Sequence, residues 1–352
     1  MRFSIAVLAM LNFASTASAT TFVYVSQPKE NAIGVFKMND ADGVLERTAT
    51  IDVGASPGSL AVDPQRKFLF ASLRTATKIA SYAIDPATGG LTPISDTPLA
   101  KGANAAYVGT DRSGKFLLSA SYSGGRVVVH GVDAAGKLTP EPLQVVETAK
   151  TAHSCYTDTA NARVFVPHVA PNAIFEFRFD AATGKLTEFG RAPGGTPNAG
   201  PRHLAIHASQ TLACSSDETG SSVTLYTLDD QGLTPKQTLS TLPADFAAKN
   251  STADVKLHPN GKFVWVSNRG HDSLAGFAVD EQSPSLTAIG QTPTEKTPRS
   301  FDIERSGRFL YSGGEGTGKI AAYRIDATTG KLERFATYDA GASVSWVLAV
   351  TF

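Results

Sequence analysis

The chain has 352 residues, and its 32 basic and 32 acidic side chains leave no formal net charge. A balanced charge without a basic run or stripe argues against nucleic acid and anionic membrane surfaces as partners. The two cysteines form no CxxC pair and no Cys/His spacing, so no structural zinc site is expected.

The first nineteen residues are typical of a secretory signal peptide. Arg2 is followed by a mostly apolar run over residues 3–14, and Ala17-Ser-Ala19 offers small residues for cleavage. The apolar run is too short to span a bilayer. We therefore expect residues 1–19 to be removed and residues 20–352 to form one exported domain, free of the membrane, in the periplasm if the source is a Gram-negative bacterium.

A unit of just under fifty residues then repeats along the chain. In the copy at residues 60–92, three strand-like runs follow one another with turn residues between them, and a fourth run begins at Leu91. The second run begins, at spacings of 46, 48, 48, 48, 51 and 46 residues, at Phe22, Phe68, Phe116, Val164, Leu212, Phe263 and Phe309. The third run recurs in step, at Ile33, Ile79, Val127, Ile174, Val223, Leu274 and Ile320. Two independent markers thus agree on seven copies.

Seven copies of a four-stranded unit predict an all-β fold, the seven-bladed β-propeller. A single unit cannot bury both of its faces, and radial packing lets each copy cover its neighbours. The first run appears six times, at Leu60, Val108, Cys155, Leu204, Val255 and Phe301. Residues 345–352 have the pattern of the missing seventh. We therefore expect the C-terminal strand to close the ring by pairing inside the first blade.

Charged residues depart from the repeat mainly in the middle and late copies. They stand before the first run or after the second, where the loops of a propeller converge on the channel, and they are His153, Arg202, His203, Glu218, Arg269, His271 and Arg299. The matching slots Ser56-Pro-Gly-Ser and Asn104-Ala-Ala-Tyr are small or neutral. Three arginines, a glutamate and one or two histidines at one channel mouth would form an anion-binding pocket able to move protons.

Each of these residues alone also has a structural interpretation. An arginine at a strand entrance is as often paired with a carboxylate of the next blade as it is functional. His203, His207 and His258 are interpreted as structural or surface residues, and His207 and His258 replace the aspartates of other copies before a turn. His271 is interpreted as a solvated loop residue.

The set of motifs resembles the bacterial propeller-type 6-phosphogluconolactonase family, which also includes fungal carboxy-muconate cyclases. The motifs are His153-Ser154, Gly200-Pro-Arg-His203, Asp217-Glu218 with Ser221-Ser-Val, Asn268-Arg269 and Pro298-Arg299. The resemblance covers the whole mature chain. It implies a lactonase with His153, Glu218, Arg202 and Arg269 in the active site. Substrate contacts are expected from Arg299, His203, Ser154 and Asn268.

Opening a lactone requires an activated water, a stabiliser for the carbonyl oxyanion and a proton for the leaving alkoxide. Either His153 or Glu218 could be the base and the other the acid; we favour His153 as base because its ordinary pKa lies nearest neutral pH. Arg202 and Arg269 would hold the oxyanion or an anionic substituent. Export favours an aldonolactone without a phosphate as the substrate.

Two other functions use the same residues. The charged groups could close or open a lactone on an unsaturated diacid, as a muconate cyclase does, or the propeller could be a binding platform without catalysis. A nucleophilic role for Ser154 is not favoured, because no GxSxG elbow surrounds it.

No cofactor is expected. Glu218, Asn268 and Asp254 are imaginable Ca²⁺ ligands, but arginines in the same cluster would repel a cation, so we predict no catalytic metal. Cys155 and Cys214 fall on different strand types, which favours two separate buried thiols over a disulfide.

Overall fold

A computed structural model describes residues 19–100 and 102–352 of the protein. The predicted signal peptide, apart from its last residue, lies outside the described residues. Within them the chain forms 28 strands and no helix. A helix suited to crossing a membrane is accordingly not found in this part of the chain.

The first fifteen strands are, in chain order, β1 (Thr21–Gln27), β2 (Ala32–Met38), β3 (Leu45–Asp52), β4 (Pro57–Val62), β5 (Phe68–Leu73), β6 (Lys78–Ile84), β7 (Leu91–Pro98), β8 (Ala105–Thr110), β9 (Phe116–Ser121), β10 (Arg126–Gly131), β11 (Gln144–Glu147), β12 (Tyr156–Thr157), β13 (Arg163–His168), β14 (Ala173–Asp180) and β15 (Lys185–Pro193). The remaining strands are β16 (Pro201–Ile206), β17 (Leu212–Asp217), β18 (Ser222–Asp229), β19 (Gly232–Ser240), β20 (Thr252–Leu257), β21 (Phe263–Asn268), β22 (Ser273–Asp280), β23 (Ser285–Pro293), β24 (Pro298–Ile303), β25 (Phe309–Gly314), β26 (Lys319–Ile325), β27 (Leu332–Asp339) and β28 (Trp346–Thr351).

These strands make seven antiparallel sheets of four, as the repeat predicts. Blades 2 to 7 each use four consecutive strands, from β4–β7 to β24–β27, whereas blade 1 has the order β28-β1-β2-β3. The pairing of β28 with β1 runs from Ser26 opposite Trp346 to Thr21 opposite Thr351. The predicted closure of the ring by the C-terminal strand is confirmed.

The hydrophobic core is divided among the blade interfaces. Seven clusters of buried side chains occur, and each joins two neighbouring blades. Phe22 of blade 1 packs in one cluster with Leu69 of blade 2, for example. Side chains alternate between the two faces of a strand, so a blade buried on both faces requires apolar residues in succession. That requirement explains the nearly unbroken apolar runs of the second and third strands.

Both cysteines are buried and free. Cys155 packs between blades 3 and 4, and Cys214 packs between blades 5 and 6. The prediction of two separate thiols is confirmed.

Candidate active site

Two positions that recur in the blades surround one mouth of the channel. The entry position is the second residue of the inner strand or its equivalent, and in blades 2 to 7 it is occupied by Gly58, Ala106, His153, Arg202, Ala253 and Arg299. The exit position directly follows the second strand, and in blades 1 to 7 it is occupied by Pro28, Arg74, Tyr122, Val169, Glu218, Arg269 and Glu315. Only some blades therefore carry a charged or titratable residue at these positions: blades 4, 5 and 7 at the entry position, and mainly blades 2, 5, 6 and 7 at the exit position.

The backbone turns these entry residues toward the channel. The register between the inner and second strands shifts between Pro201 and His203 and between Pro298 and Ser300, which leaves Arg202 and Arg299 as the extra residues of β-bulges. In blade 4 the inner strand is irregular, and only a bridge between Ala152 and His168 precedes the short β12.

In blades 4, 5 and 7, the residue two positions before the entry residue has a left-handed backbone conformation. These residues are Thr151 (φ 68°), Gly200 (φ 71°) and Thr297 (φ 57°), whereas the equivalent Ser56, Asn104 and Ser251 do not adopt this conformation. A β-branched threonine pays a conformational cost at positive φ. Two of the three sites bear this cost, which the surrounding contacts must offset.

A carboxylate links two of the arginines. Glu218 Oε2 lies 2.9 Å from Arg202 Nε, and Glu218 Oε1 lies 3.5 Å from Arg269 Nη2. The guanidinium groups also donate to backbone of blade 6, Arg202 to Ala253 O at 2.7 Å and Arg269 to Thr252 O at 2.9 Å. Glu218 therefore holds two cations in fixed positions next to each other.

His153, Arg202 and Arg299 share a pocket at this mouth. The pocket has a volume of about 160 Å³, and its lining also includes Arg74, Glu315 and Trp346. Arg299 Nη1 lies 3.9 Å from Glu315 Oε2. Burial, followed by the nearby charge of Arg299, lowers the pKa of Arg74. With Arg269 and Glu218 included, the cluster contains four arginines and two glutamates. Its net charge is therefore positive, which favours the binding of an anion.

His153 is buried at the wall of this pocket, with a side chain that is 4% exposed. Burial, followed by the nearby charges of Arg202, Arg299 and Arg269, lowers its pKa well below the ordinary value. The imidazole is therefore neutral at neutral pH. Its Nδ1 is shut off from solvent and has no hydrogen-bond partner, so Nε2 is the nitrogen that faces the pocket.

His203 belongs to a buried network beneath the pocket. Its Nδ1 lies 2.8 Å from Asp254 Oδ1, and Lys256 Nζ lies 3.4 Å from the same oxygen. Burial and the charge of Arg202 lower the pKa of His203 to about 3. Burial acts to raise the pKa of Asp254, but Lys256 and His203 hold it below its usual range. His203 was expected to contact substrate, but it does not line the pocket, and its ring packs against that of His153.

Two predicted substrate contacts have protein partners instead. Ser154 is fully buried, and its Oγ donates to Arg202 O at 2.7 Å. Asn268 is also fully buried; its amide donates to Thr241 O and Ser273 Oγ and accepts from Thr241 Oγ1. Ser154 is hydrogen-bonded to the backbone of Arg202, and Asn268 directly precedes Arg269, so both stabilise the backbone that positions these arginines. Neither residue lines the pocket.

Several residues of the mouth were not predicted. Arg74, Tyr122 and Glu315 occupy the same exit position as Glu218 and Arg269, and the repeat alignment contained this signal. The charged pair Asp254 and Lys256 lies on an inner strand whose equivalents are mostly apolar or small. Two charges at alternate positions of such a strand face the channel together.

The imagined calcium ligands do not come together. Glu218 is paired with arginines, Asp254 with His203 and Lys256, and Asn268 with Thr241. Over residues 19–100 and 102–352, no group of three or more His, Cys, Asp or Glu side chains has the arrangement of a metal site.

Comparison with known proteins places the chain in a family. The sequence profile described as "Lactonase, 7-bladed beta-propeller" matches residues 22–349. The chain belongs to the seven-bladed β-propeller lactonase family. A curated relative from Serratia proteamaculans, named 6-phosphogluconolactonase, is 34% identical over 332 residues, which are 92% of this chain and 97% of the relative. Another of the same name, from Pectobacterium carotovorum, is 35% identical over 328 residues, 92% of this chain and 97% of its own.

Solved structures agree with this membership. The structure of a periplasmic gluconolactonase from Pseudomonas aeruginosa superposes with a TM-score of 0.84 at 25% identity, covering 94% of this chain and 99% of that one. A putative 6-phosphogluconolactonase from Bacteroides fragilis gives a TM-score of 0.85 at 24% identity over 96% and 99%, which supports the fold. The predicted family and the predicted class of enzyme, a lactonase, are confirmed.

Proposed function

We propose that the protein hydrolyses an aldonolactone in the pocket at the channel mouth, and that it does so outside the cytoplasm. The observation that carries the proposal is a buried histidine beside Arg202 and Arg299 in one pocket. A neutral imidazole can accept a proton, and forked cationic donors suit an oxygen that gains negative charge.

Each residue of the pocket has a separate role in the reaction. His153 Nε2 takes a proton from a water molecule as the water oxygen attacks the lactone carbonyl carbon. Arg202 and Arg299 stabilise the oxyanion that forms. When the bond to the ring oxygen breaks, the proton on His153 passes to that oxygen and the open-chain hydroxy acid is released. Glu218 fixes Arg202 and Arg269 and needs no proton of its own.

The positive charge of the pocket would favour a lactone substrate with an anionic substituent. It would equally favour binding of the product, which carries a carboxylate. The curated relatives are named for a phosphorylated lactone and the Pseudomonas protein for an unphosphorylated one. We take the unphosphorylated aldonolactone as the substrate, because a sugar phosphate made in the cytoplasm would not meet an exported enzyme. The predicted signal peptide supports export, and the Pseudomonas protein is itself described as periplasmic.

The test is a substrate panel assayed with purified residues 20–352. Acid release from glucono-δ-lactone, from its 6-phosphate and from a muconolactone is measured above the spontaneous rate, with His153→Gln as the matched control. Enzymatic opening of a sugar lactone that the substitution abolishes is expected. Turnover of the muconolactone alone would favour the cyclase, and sugar-lactone turnover that survives in His153→Gln would overturn the mechanism.

Export is tested separately. N-terminal sequencing of protein recovered from the periplasm of a Gram-negative host should begin at Thr20. Retention of the intact chain in the cytoplasm would overturn this part of the proposal.

A further inference from the structure

His203 contacts His153 but does not line the pocket. The two ring centroids are 5.1 Å apart, and the ring planes are inclined by 63°. Both side chains are buried, at 4% exposure for His153 and 1% for His203. Edges of rings at this separation lie within the span of a hydrogen bond or of one bridging water.

Asp254 fixes the proton on His203. Its Oδ1 lies 2.8 Å from His203 Nδ1 and also accepts from Val255 N at 2.9 Å, while Oδ2 accepts from Ser300 Oγ at 3.2 Å. A carboxylate held by these donors and by Lys256 is ionised and can only accept. Neutral His203 therefore carries its proton on Nδ1 and presents a lone pair on Nε2.

Two buried nitrogens in adjacent rings are without partners. One is His203 Nε2, and the other is His153 Nδ1. A buried polar nitrogen without a partner costs free energy, and in native proteins such groups nearly always find one. His203 Nε2 is an acceptor because Asp254 holds the proton on Nδ1, and His153 Nδ1 can be a donor. The two atoms make no direct hydrogen bond with each other, and one water between them would satisfy both.

We propose that His153 Nδ1–H donates to a bridging water that in turn donates to His203 Nε2, and that this contact completes a relay from Asp254 through His203 to His153. The inference rests on the proposed role of His153 as the base. His203 and Asp254 are positioning residues that touch no substrate atom. The relay holds the His153 proton on Nδ1 and leaves the lone pair of Nε2 directed into the pocket.

The relay also stabilises the charge that His153 gains during the reaction. When Nε2 takes the proton of the attacking water, the imidazolium keeps its Nδ1–H bond to the bridging water, and His203 and the Asp254 carboxylate lie beyond that water. A hydrogen bond that stabilises the protonated form of His153 raises the pKa of its imidazole. No proton moves beyond His153, so the chemical balance of the hydrolysis is unchanged.

Other charged and titratable groups act on the same two rings. His153 is faced by Arg202 of β16, Arg299 of β24, Arg269 of the β21 exit and Tyr122 of the β9 exit. His203 is faced by Tyr107 of β8, Tyr156 of β12 and the Asp254–Lys256 pair of β20. The cations disfavour protonated His153, and the relay offsets part of that effect.

Two substitutions separate the two ends of His203. In His203→Asn, the amide can still donate to Asp254 but nothing reaches the position of Nε2, whereas His203→Gln places an amide oxygen or nitrogen near Nε2. We expect His203→Asn to lower kcat on the order of 100-fold and to move the acid limb of kcat/KM to lower pH. His203→Gln should recover part of the loss, and Asp254→Asn should move the limb in the same direction as His203→Asn.

The control for loss of a buried histidine is His258→Asn. His258 lies in the turn after β20, where its Nε2 is 2.8 Å from Gly307 O. Its substitution should leave the pH profile unchanged even if it lowers the melting temperature. An acid limb that stays in place in folded His203→Asn would reduce His203 to a structural role and overturn the relay.

The wild-type protein provides a test that does not depend on a variant folding. The ¹⁵N chemical shifts of the ring nitrogens distinguish the two neutral tautomers, and His153 is assigned among seven histidines by its absence from His153→Gln. The relay requires the Nδ1–H tautomer at His153, so an Nε2–H tautomer would overturn it. If instead His153→Gln keeps wild-type turnover, the proposed function fails, whereas inactive His153→Gln with an unmoved limb in His203→Asn removes only the relay.

Discussion

Arg202 and Glu218 occupy the entry and exit positions of the same blade, and their partly buried ion pair, 2.9 Å between Nε and Oε2, extends to Arg269 of the next blade. One carboxylate thus fixes two guanidinium groups that would otherwise repel each other. The pair makes the arrangement of cations at the mouth a property of the fold, present before any substrate arrives.

Replacing this carboxylate should affect both stability and activity. Glu218→Gln leaves two largely buried cations uncompensated, so we expect the free energy of unfolding to fall by roughly 2–3 kcal/mol and kcat/KM to fall at least about tenfold. Urea denaturation and lactone hydrolysis measure the two effects.

The matched control is Glu188→Gln, which breaks an exposed ion pair with Arg191. It should change stability by less than about 1 kcal/mol. Equal effects of the two substitutions would contradict a special role of the Arg202–Glu218 pair.

Activity should persist into acid. Because burial and nearby arginines lower the pKa of His153, the base stays neutral and competent as the pH falls, and it is lost only when the pH drops through the lowered pKa. We therefore expect kcat/KM to be level through neutral pH, with an acid limb centred below the ordinary histidine value of about 6.5. A stopped-flow indicator assay with subtraction of the spontaneous rate measures the profile. A limb above about pH 7 would contradict this environment for the base.

Arg74 should distinguish charged from neutral substrates. It lines the pocket from blade 2 and has no carboxylate within 4 Å among the described residues. Arg74→Gln should raise KM about tenfold for a lactone with a phosphate and leave KM for the neutral lactone nearly unchanged. Arg66→Gln, at a cavity lined by the far ends of the inner strands, is the control and should alter neither. A uniform loss on both substrates would assign Arg74 to the fold instead.

Chelation should not affect turnover. The carboxylates at the mouth are neutralised by guanidinium groups, and Asp254 is neutralised by Lys256. We expect the same kcat before and after incubation with EDTA and dialysis. A loss of activity that added Ca²⁺ restores would contradict this expectation.

The repeat made the fold predictable. Its markers located the second and third strands of all seven blades, and the pattern of residues 345–352 located the closing strand. The entry and exit positions were predictable for the same reason, since equivalent positions in a repeat lie at equivalent places around the ring.

The direction of individual side chains was not predictable in the same way. Ser154 and Asn268 stand next to residues of the mouth, and a single step along a strand turns a side chain to the opposite face. His203 follows Arg202 by one residue and is likewise turned inward, to Asp254, whose partnership depends on a neighbouring blade. Contacts between blades involve residues about fifty apart in sequence, and no local pattern specifies them.

The pairing of β28 with β1 leaves residues 20 and 352 in contact, with Phe352 N donating to Thr20 O at 2.9 Å. A short peptide bridge between these residues would turn the polypeptide into a covalent circle, and the circle could then be cut at the exposed turn of Asp230 and Gln231. Such a circular permutant would keep every strand pairing, and blade 5 would replace blade 1 as the blade that joins the two chain ends. The order in which the blades leave the ribosome would change, while the order in which they stand around the axis would not.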